Sequence, residues 1–243
     1  MISPELFRPS ELNGVRIERD RTTHQDVLKR ARHWLAGQRS WYKPEGRIIA
    51  DHLSDFLNCP RKHLIQKAAR QKAVDAGQHP WEFDDFDETG LVMFATGYAF
   101  QHGVLGATET SVWNTEHSFW YSPDSAVGGR LFEAKTLRAS PLKKADTEAG
   151  LSVEDVLMRD RQAWVRYMLA VMYLEKKTAY SLLPFWIIPG ECETFKVTAG
   201  EKAITDNWTR VWAKIREVRD HESAGTFPKH EGEYICATCV GAA

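Results

Sequence analysis

The sequence predicts an α/β layer fold with a mixed β-sheet flanked by helices. Its segments run in the order helices, a strand group, a helix, more strands and a closing helix. Within 112–136 two strand-like runs, SVWNTEHSFWY and LFEAKT, are separated by a turn through Pro123, Asp124, Gly128 and Gly129. Over 200–222, Ile204, Trp208, Val211, Trp212, Ile215 and Val218 recur on one helical face. Together these describe apolar helices laid on a sheet.

Each element has its own local cause. Residues 1–45 are polar and mixed, with a helix expected over about 23–37, and read as an N-terminal helical extension to a domain filling 46–243. Pro44, Glu45 and Gly46 break the chain between the two. Leu53, Phe56, Leu57, Leu64 and Ile65 then return at helical spacing, and Pro60 marks either a break or a second helix start. HPWEFDDFDETG reads as an acidic loop, and a helix is expected from about 89 to 106. LRASPLKKADTEAG reads as a loop. Ser152 with Asp155 caps an expected long amphipathic helix over about 153–175. AYSLLPFWII and ETFKV look like a hairpin around Pro189–Gly190, and Thr198 with Glu201 offers a capping box for the closing helix.

Composition bounds the function. The 243 residues are 43% hydrophobic and 11% aromatic, enough for one sizeable core. The formal net charge is −1, so nucleic-acid contact must come from local basic stretches and not from a global field. No apolar run reaches the roughly 18–20 residues of a membrane span, and MISPELFRPSELNG has no signal-peptide pattern. A cytoplasmic location is expected. In a reducing compartment Cys59, Cys192, Cys236 and Cys239 point to metal binding or packing more than to disulfides.

The chemistry centres on LFEAKT. Glu133 and Lys135 are two apart, so on an extended strand they leave the same face. A Gly-Gly turn would bring Asp124 beside Glu133 at one sheet end. Two carboxylates there form an oxygen site suited to Mg²⁺ or Mn²⁺, and Lys135 adds a compact positive charge. The alternative for an E-x-K pair is a surface ion pair.

Around this strand the chain resembles the PD-(D/E)xK nuclease superfamily, in its RecB-like branch, which includes CRISPR-associated RecB-like iron–sulfur exonucleases and phage-type relatives. The likeness covers roughly residues 50–239 and implies a restriction-endonuclease-like fold. It assigns Asp124, Glu133 and Lys135 to catalysis. GYAFQHG, 97–103, resembles the helix that carries a metal-binding His, which implies His102 as a third ligand, with Gln101 at the commoner spacing. RDRQAWVRYMLAVMYL resembles the helix whose Gln and Tyr fix the lysine, which implies Gln162 and Tyr167, here with one residue more between them. Relatives often carry Gly, a basic or polar residue, an apolar residue and Asp before a gap and then E-x-K. Here Gly129-Arg130-Leu131 runs straight into Phe132-Glu133, so the resemblance leaves Asp124 to supply that carboxylate from an earlier position, with Glu116 in reserve should Asp124 point away.

LNCPRKHLI resembles the segment holding the first thiolate of a 4Fe–4S cluster, and Cys236-Ala-Thr-Cys239 stands where the later thiolates are found. The resemblance therefore implies a small Cys-ligated subdomain joining both ends, with Cys59, Cys236 and Cys239 as ligands. No further Cys follows Cys239; Cys192 is the remaining thiol, His230 a nitrogen alternative, and zinc an alternative metal.

The expected activity is phosphodiester hydrolysis in DNA, exonucleolytic on single-stranded or end-containing DNA in recombination, repair or CRISPR-related processing. The competing expectation is a catalytically impaired nuclease fold that binds DNA or protein. Arg61 and Lys62, in RKHLIQKAARQK with Lys67, Arg70 and Lys72, and Arg138, Lys143 and Lys144, in KTLRASPLKK, are the expected phosphate contacts. A recombination or CRISPR-related protein partner is expected beside DNA. Trp120 and Tyr121 suit core packing better than base stacking.

Overall fold

The computed structural model describes residues 50–57, 59–77, 88–100, 111–127, 130–137, 142, 144–187 and 191–229. The expected N-terminal helix, His102, Arg138, Lys143, Cys236 and Cys239 lie outside these residues.

Pro60 starts a second helix. Helix α1 (Leu53–Leu57) is followed by α2 (Pro60–Asp75), with Pro60 in the first turn and Cys59 as an extended N-cap at φ −134 and ψ 100. Proline suits that position because its missing N–H would have had no intrahelical acceptor. Helix α3 (Glu88–Ala99) follows. Strands β1 (Val112–Asn114) and β2 (Phe119–Tyr121) form a separate antiparallel hairpin in which Trp113 lies opposite Trp120. The expected single run through SVWNTEHSFWY is thus two strands and a tight turn.

The main sheet is mixed. Strands β3 (Ser125–Val127) and β4 (Arg130–Leu137) pair antiparallel, and β4 lies parallel to β5 (Ala179–Trp186). The parallel crossover runs through α4 (Lys144–Glu148), α5 (Val153–Asp160) and α6 (Gln162–Leu174). Strands β6 (Glu191–Cys192) and β7 (Phe195–Thr198) both return antiparallel to β5, giving the expected hairpin in two pieces. The interruption has a cause in Pro184. β6 pairs with Phe185 and Trp186, β7 pairs with residues 179–182, and Pro184, which has no N–H to give, falls at the gap.

Alternation divides the side chains of β4 between two cores. Leu131 joins Tyr180 and Leu182 under α6, α1 and α7 (Glu201–Ser223), packed with Phe56, Met168, Val171, Trp208 and Ile215. Phe132 and Ala134 face the other way with Leu183, against Phe100 and Phe185, whose rings stack at 4.2 Å. Helix α3 covers this second face closely. A Cβ built on Gly97 would stand 2.5 Å from Thr136 Oγ1, so only glycine lets the helix approach β4 there.

Three expected boundaries differ. The long helix over 153–175 is two helices, broken at Arg161 with φ −122 and ψ 36. Val156 and Leu157 are buried, and one turn on from them stand Asp160 and Arg161, both exposed. A straight helix would carry both charges into the core, so the chain turns. The Ser152–Asp155 capping box is present in full at the start of α5. The Thr198–Glu201 box is not: Gly200 is the N-cap of α7, and Thr198 is held in the sheet opposite Ala179. The loop expected through 137–150 contains α4.

Candidate active site

The E-x-K strand and the residue before β3 meet at one edge of the sheet. The β3–β4 register sets Ser125 opposite Phe132, and the amide of Asp124 donates to the carbonyl of Phe132 at 3.1 Å, so the ladder extends to Asp124 beside Glu133. The Asp124 side chain turns back onto the same strand, where Oδ2 accepts the Ala134 amide at 2.7 Å. Glu133 and Lys135 share a face, as their spacing requires, and the Lys135 ammonium donates to Glu133 Oε1. From the neighbouring parallel strand, the Tyr180 hydroxyl donates to Glu133 Oε2 at 3.2 Å.

Asp124, Glu133 and Lys135 border a cleft of about 410 Å³ lined also by His52, Ser54, Ser122, Trp164 and Tyr167, and Tyr180 reaches Glu133 from the core outside that lining. Tyr167 is buried; its ring stacks on His52 with centroids 6.4 Å apart, and its hydroxyl oxygen accepts the Ser122 amide at 3.2 Å. His52 lies 2.8 Å by Nδ1 from Ser54 Oγ and 3.3 Å by Nε2 from Ser122 Oγ, and Ser122 is 2.8 Å from Ser111 Oγ. The cleft therefore combines a charged group with a run of hydroxyls and an imidazole.

The electrostatics are asymmetric. Glu133 is 4% exposed, and burial with the neighbouring Asp124 charge raises its pKa against the pull of Lys135 and the hydrogen bond from Tyr180. Lys135 is held cationic: burial works against its charge, but Glu133 and Asp124 outweigh burial and raise its pKa. Burial and the charge of Glu133 raise the Tyr180 pKa. A deeply buried acid beside a second carboxylate is a pair that a divalent cation would relieve, and two hard oxygen donors suit Mg²⁺ or Mn²⁺, which complete their shells with water and phosphate oxygens. Asp124 and Glu133 would hold such an ion. Among the described residues no group of three or more His, Cys, Asp or Glu side chains is arranged to hold a metal ion.

Asp124, Glu133, Lys135 and Tyr167 are thus gathered at one cleft. Gln162 is not among its lining residues: it is the exposed first residue of α6, while Tyr167, one face round, points in. Glu116 sits in the β1–β2 turn with its side chain 82% exposed, away from the cleft lining. Cys59 is half-buried at the start of α2, and Cys192 lies in β6 opposite Phe185. Arg61 places its guanidinium over the Phe227 ring at 5.7 Å, and Lys62 is half-buried in the same turn. Lys144 opens α4.

The basic stretch of α2 is drawn inward. Lys67 bonds Asp51 Oδ1 and Glu222 Oε1, each at 2.7 Å, and Arg70 has a buried guanidinium nitrogen. These two cations serve the fold where the sequence suggested a phosphate track. Tyr121 is buried and its hydroxyl donates to Glu175 at 2.6 Å, which agrees with packing.

The sequence reading missed His52, Ser54, Ser122, Trp164 and Tyr180. Ser122 carried a signal, because in the extended Ser122-Pro123-Asp124 segment it shares a face with Asp124. The others depend on tertiary neighbours.

No family model matches the sequence, and no curated protein matches it. Among solved structures, the chain is similar to an alkaline exonuclease from Laribacter hongkongensis at 13% identity and a TM-score of 0.45, over 79% of this chain and 94% of that one. It is also similar to a phage-related exonuclease from Haemophilus somnus at 11% identity and a TM-score of 0.41, over 72% of this chain and 96% of that one.

Proposed function

We propose that this protein is a metal-dependent deoxyribonuclease that hydrolyses phosphodiester bonds, acting as an exonuclease on single-stranded or end-containing DNA in recombination, repair or CRISPR-related processing. The convergence of Asp124, Glu133 and Lys135 on one cleft supports this reading above all else. Asp124 and Glu133 are the carboxylates that would hold Mg²⁺ or Mn²⁺. Bound there, the cation supplies a water of lowered pKa and positive charge for the phosphoryl oxygens. Lys135 adds a fixed ammonium to the electrostatic stabilisation of the charge that builds on phosphorus. Tyr167 keeps the segment before Asp124 in place through the Ser122 amide.

The sequence motifs add a 4Fe–4S cluster to this proposal, with Cys59 at the α2 N-cap as one ligand and Cys236, Cys239 and Cys192 as the others, or zinc in its place. Protein purified without oxygen should absorb visible light if the cluster is iron–sulfur; a colourless protein containing zinc would favour the alternative. In this reading the enzyme acts in the cytoplasm, with DNA and a recombination or CRISPR-related protein as partners.

A second reading is a nuclease-fold module that binds DNA or protein without cutting, favoured by the compressed spacing from Asp124 to Glu133. Metal titration separates the two. End-labelled DNA should shorten in Mn²⁺ and stay intact in excess chelator; tight binding with no shortening in either Mg²⁺ or Mn²⁺ would establish the module.

A further inference from the structure

The carboxylate of Glu133 is engaged by donors from two different strands. Lys135, on its own strand, reaches Oε1, whereas the Tyr180 hydroxyl reaches Oε2 from β5 at 3.2 Å. The parallel register explains the second contact. Tyr180 pairs with Leu131 and Leu182 pairs with Glu133, so Tyr180 lies diagonally behind Glu133 on the same face, at a distance that a tyrosine ring can span. Tyr180 is 1% exposed, packed among Leu131, Leu182 and Met168, so its hydroxyl is held by the core and not by a mobile side chain.

We propose that Tyr180 is a positioning residue for the cation site: its hydroxyl orients the Glu133 carboxylate so that it is ordered for a divalent cation before the ion arrives. The proposal rests on the nuclease reading above. A glutamate has three side-chain torsions, and ordering it on binding costs rotamer entropy. Tyr180 removes part of that cost in advance, as partners behind a ligand commonly do. The same hydrogen bond also withdraws electron density from the carboxylate, which would weaken its donor strength. Pre-ordering and withdrawal predict opposite signs, so the direction of the change decides between them.

The experiment is Mn²⁺ binding to wild type and Tyr180→Phe, followed by the electron paramagnetic resonance of free Mn²⁺, with DNA cleavage measured across the same Mn²⁺ series. The phenylalanine ring fills the same space, and the metal-free near-ultraviolet circular dichroism should match wild type. Expected is an about tenfold weaker Mn²⁺ dissociation constant, a parallel rise in the Mn²⁺ needed for half-maximal cleavage, and near-normal cleavage at saturating metal. Unchanged or tighter Mn²⁺ binding by Tyr180→Phe overturns the positioning role while leaving the nuclease reading standing. A wild type that neither binds Mn²⁺ nor cleaves DNA removes both. Should Tyr180→Phe fail to fold, the Tyr180 ring-carbon resonance of wild type, labelled at the carbon bearing the hydroxyl, is followed during Mg²⁺ addition. A shift that saturates with metal binding supports the role, and no shift refutes it.

Discussion

The amide of Ala134 donates to Asp124 Oδ2 at 2.7 Å, so the carboxylate that precedes β3 is fastened to the backbone between Glu133 and Lys135. This bond ties Asp124 to the E-x-K strand although eight residues separate it from Glu133. The chain turns after Asp124, runs out through β3, and comes back along β4 to supply the donor.

That dual use of Asp124 predicts a separation of effects. Asp124→Asn keeps an oxygen for the Ala134 amide and loses the charge; Asp124→Ala loses both. Both should reduce metal-dependent cleavage by about 10²–10³-fold, the equivalent of several kcal/mol of transition-state stabilisation. Only the alanine variant should be appreciably less stable, by about 1–2 kcal/mol in chemical denaturation. Equal destabilisation by the two would show that the hydrogen bond contributes nothing to holding the strand pair.

Gly97 sets how close α3 lies to the strand bearing Lys135. Alanine would gain about 1 kcal/mol of helix propensity, but its Cβ would meet Thr136 Oγ1 at 2.5 Å and Thr136 Cβ at 3.1 Å. Overpacking of this kind costs about 1–3 kcal/mol, so Gly97→Ala should be net destabilising by about 1 kcal/mol. Adding Thr136→Ala should recover part of the loss. Thermal melts of the single and double variants test this, and a more stable Gly97→Ala would contradict the packing.

The Asp51–Lys67 pair predicts two pH limits to stability. Burial works to raise the Asp51 pKa, but the hydrogen bonds and charges of His63 and Lys67 outweigh it and leave it lowered. For Lys67, burial is outweighed by Asp51 and Glu222, and the pKa is raised. A depressed acid contributes stability above its unfolded value, near 3.8, and loses it as pH falls through the folded pKa. A raised lysine contributes below its unfolded value, near 10.5, and loses it as pH rises through the folded pKa. Asp51→Asn should therefore flatten both the acid and the alkaline limbs of the stability curve. At neutral pH it should cost on the order of 2–3 kcal/mol, below the range for a fully buried pair because Lys67 is 20% exposed and keeps Glu222. Denaturation midpoints across pH measure both limbs.

Local pattern carried much of the fold and little of the cleft wall. The stripe from Ile204 to Val218 and the Ser152–Asp155 cap are properties of adjacent residues, and both are present where their spacing put them. The face shared by Glu133 and Lys135 follows from strand alternation alone. Thr198 had the right spacing to cap α7 but was taken by a ladder with Ala179, a partner that helical spacing does not reveal. Lys67 looked like a solvent cation because Asp51 and Glu222, its partners, are remote in sequence. Tyr180 is the clearest such case. Its relation to Glu133 depends on the parallel register of β4 and β5, and nothing in either strand by itself fixes that register. His52 likewise reaches Ser122 across the fold.

The central claim is tested most directly by the initial rate of Mn²⁺-dependent DNA cleavage by wild type and by Glu133→Gln, a variant of nearly the same shape with no charge to offer a cation. Wild type should cut, and the glutamine variant should cut at least about 10²-fold more slowly while remaining folded. Equal rates from the two would contradict the assignment of this cleft as the active site.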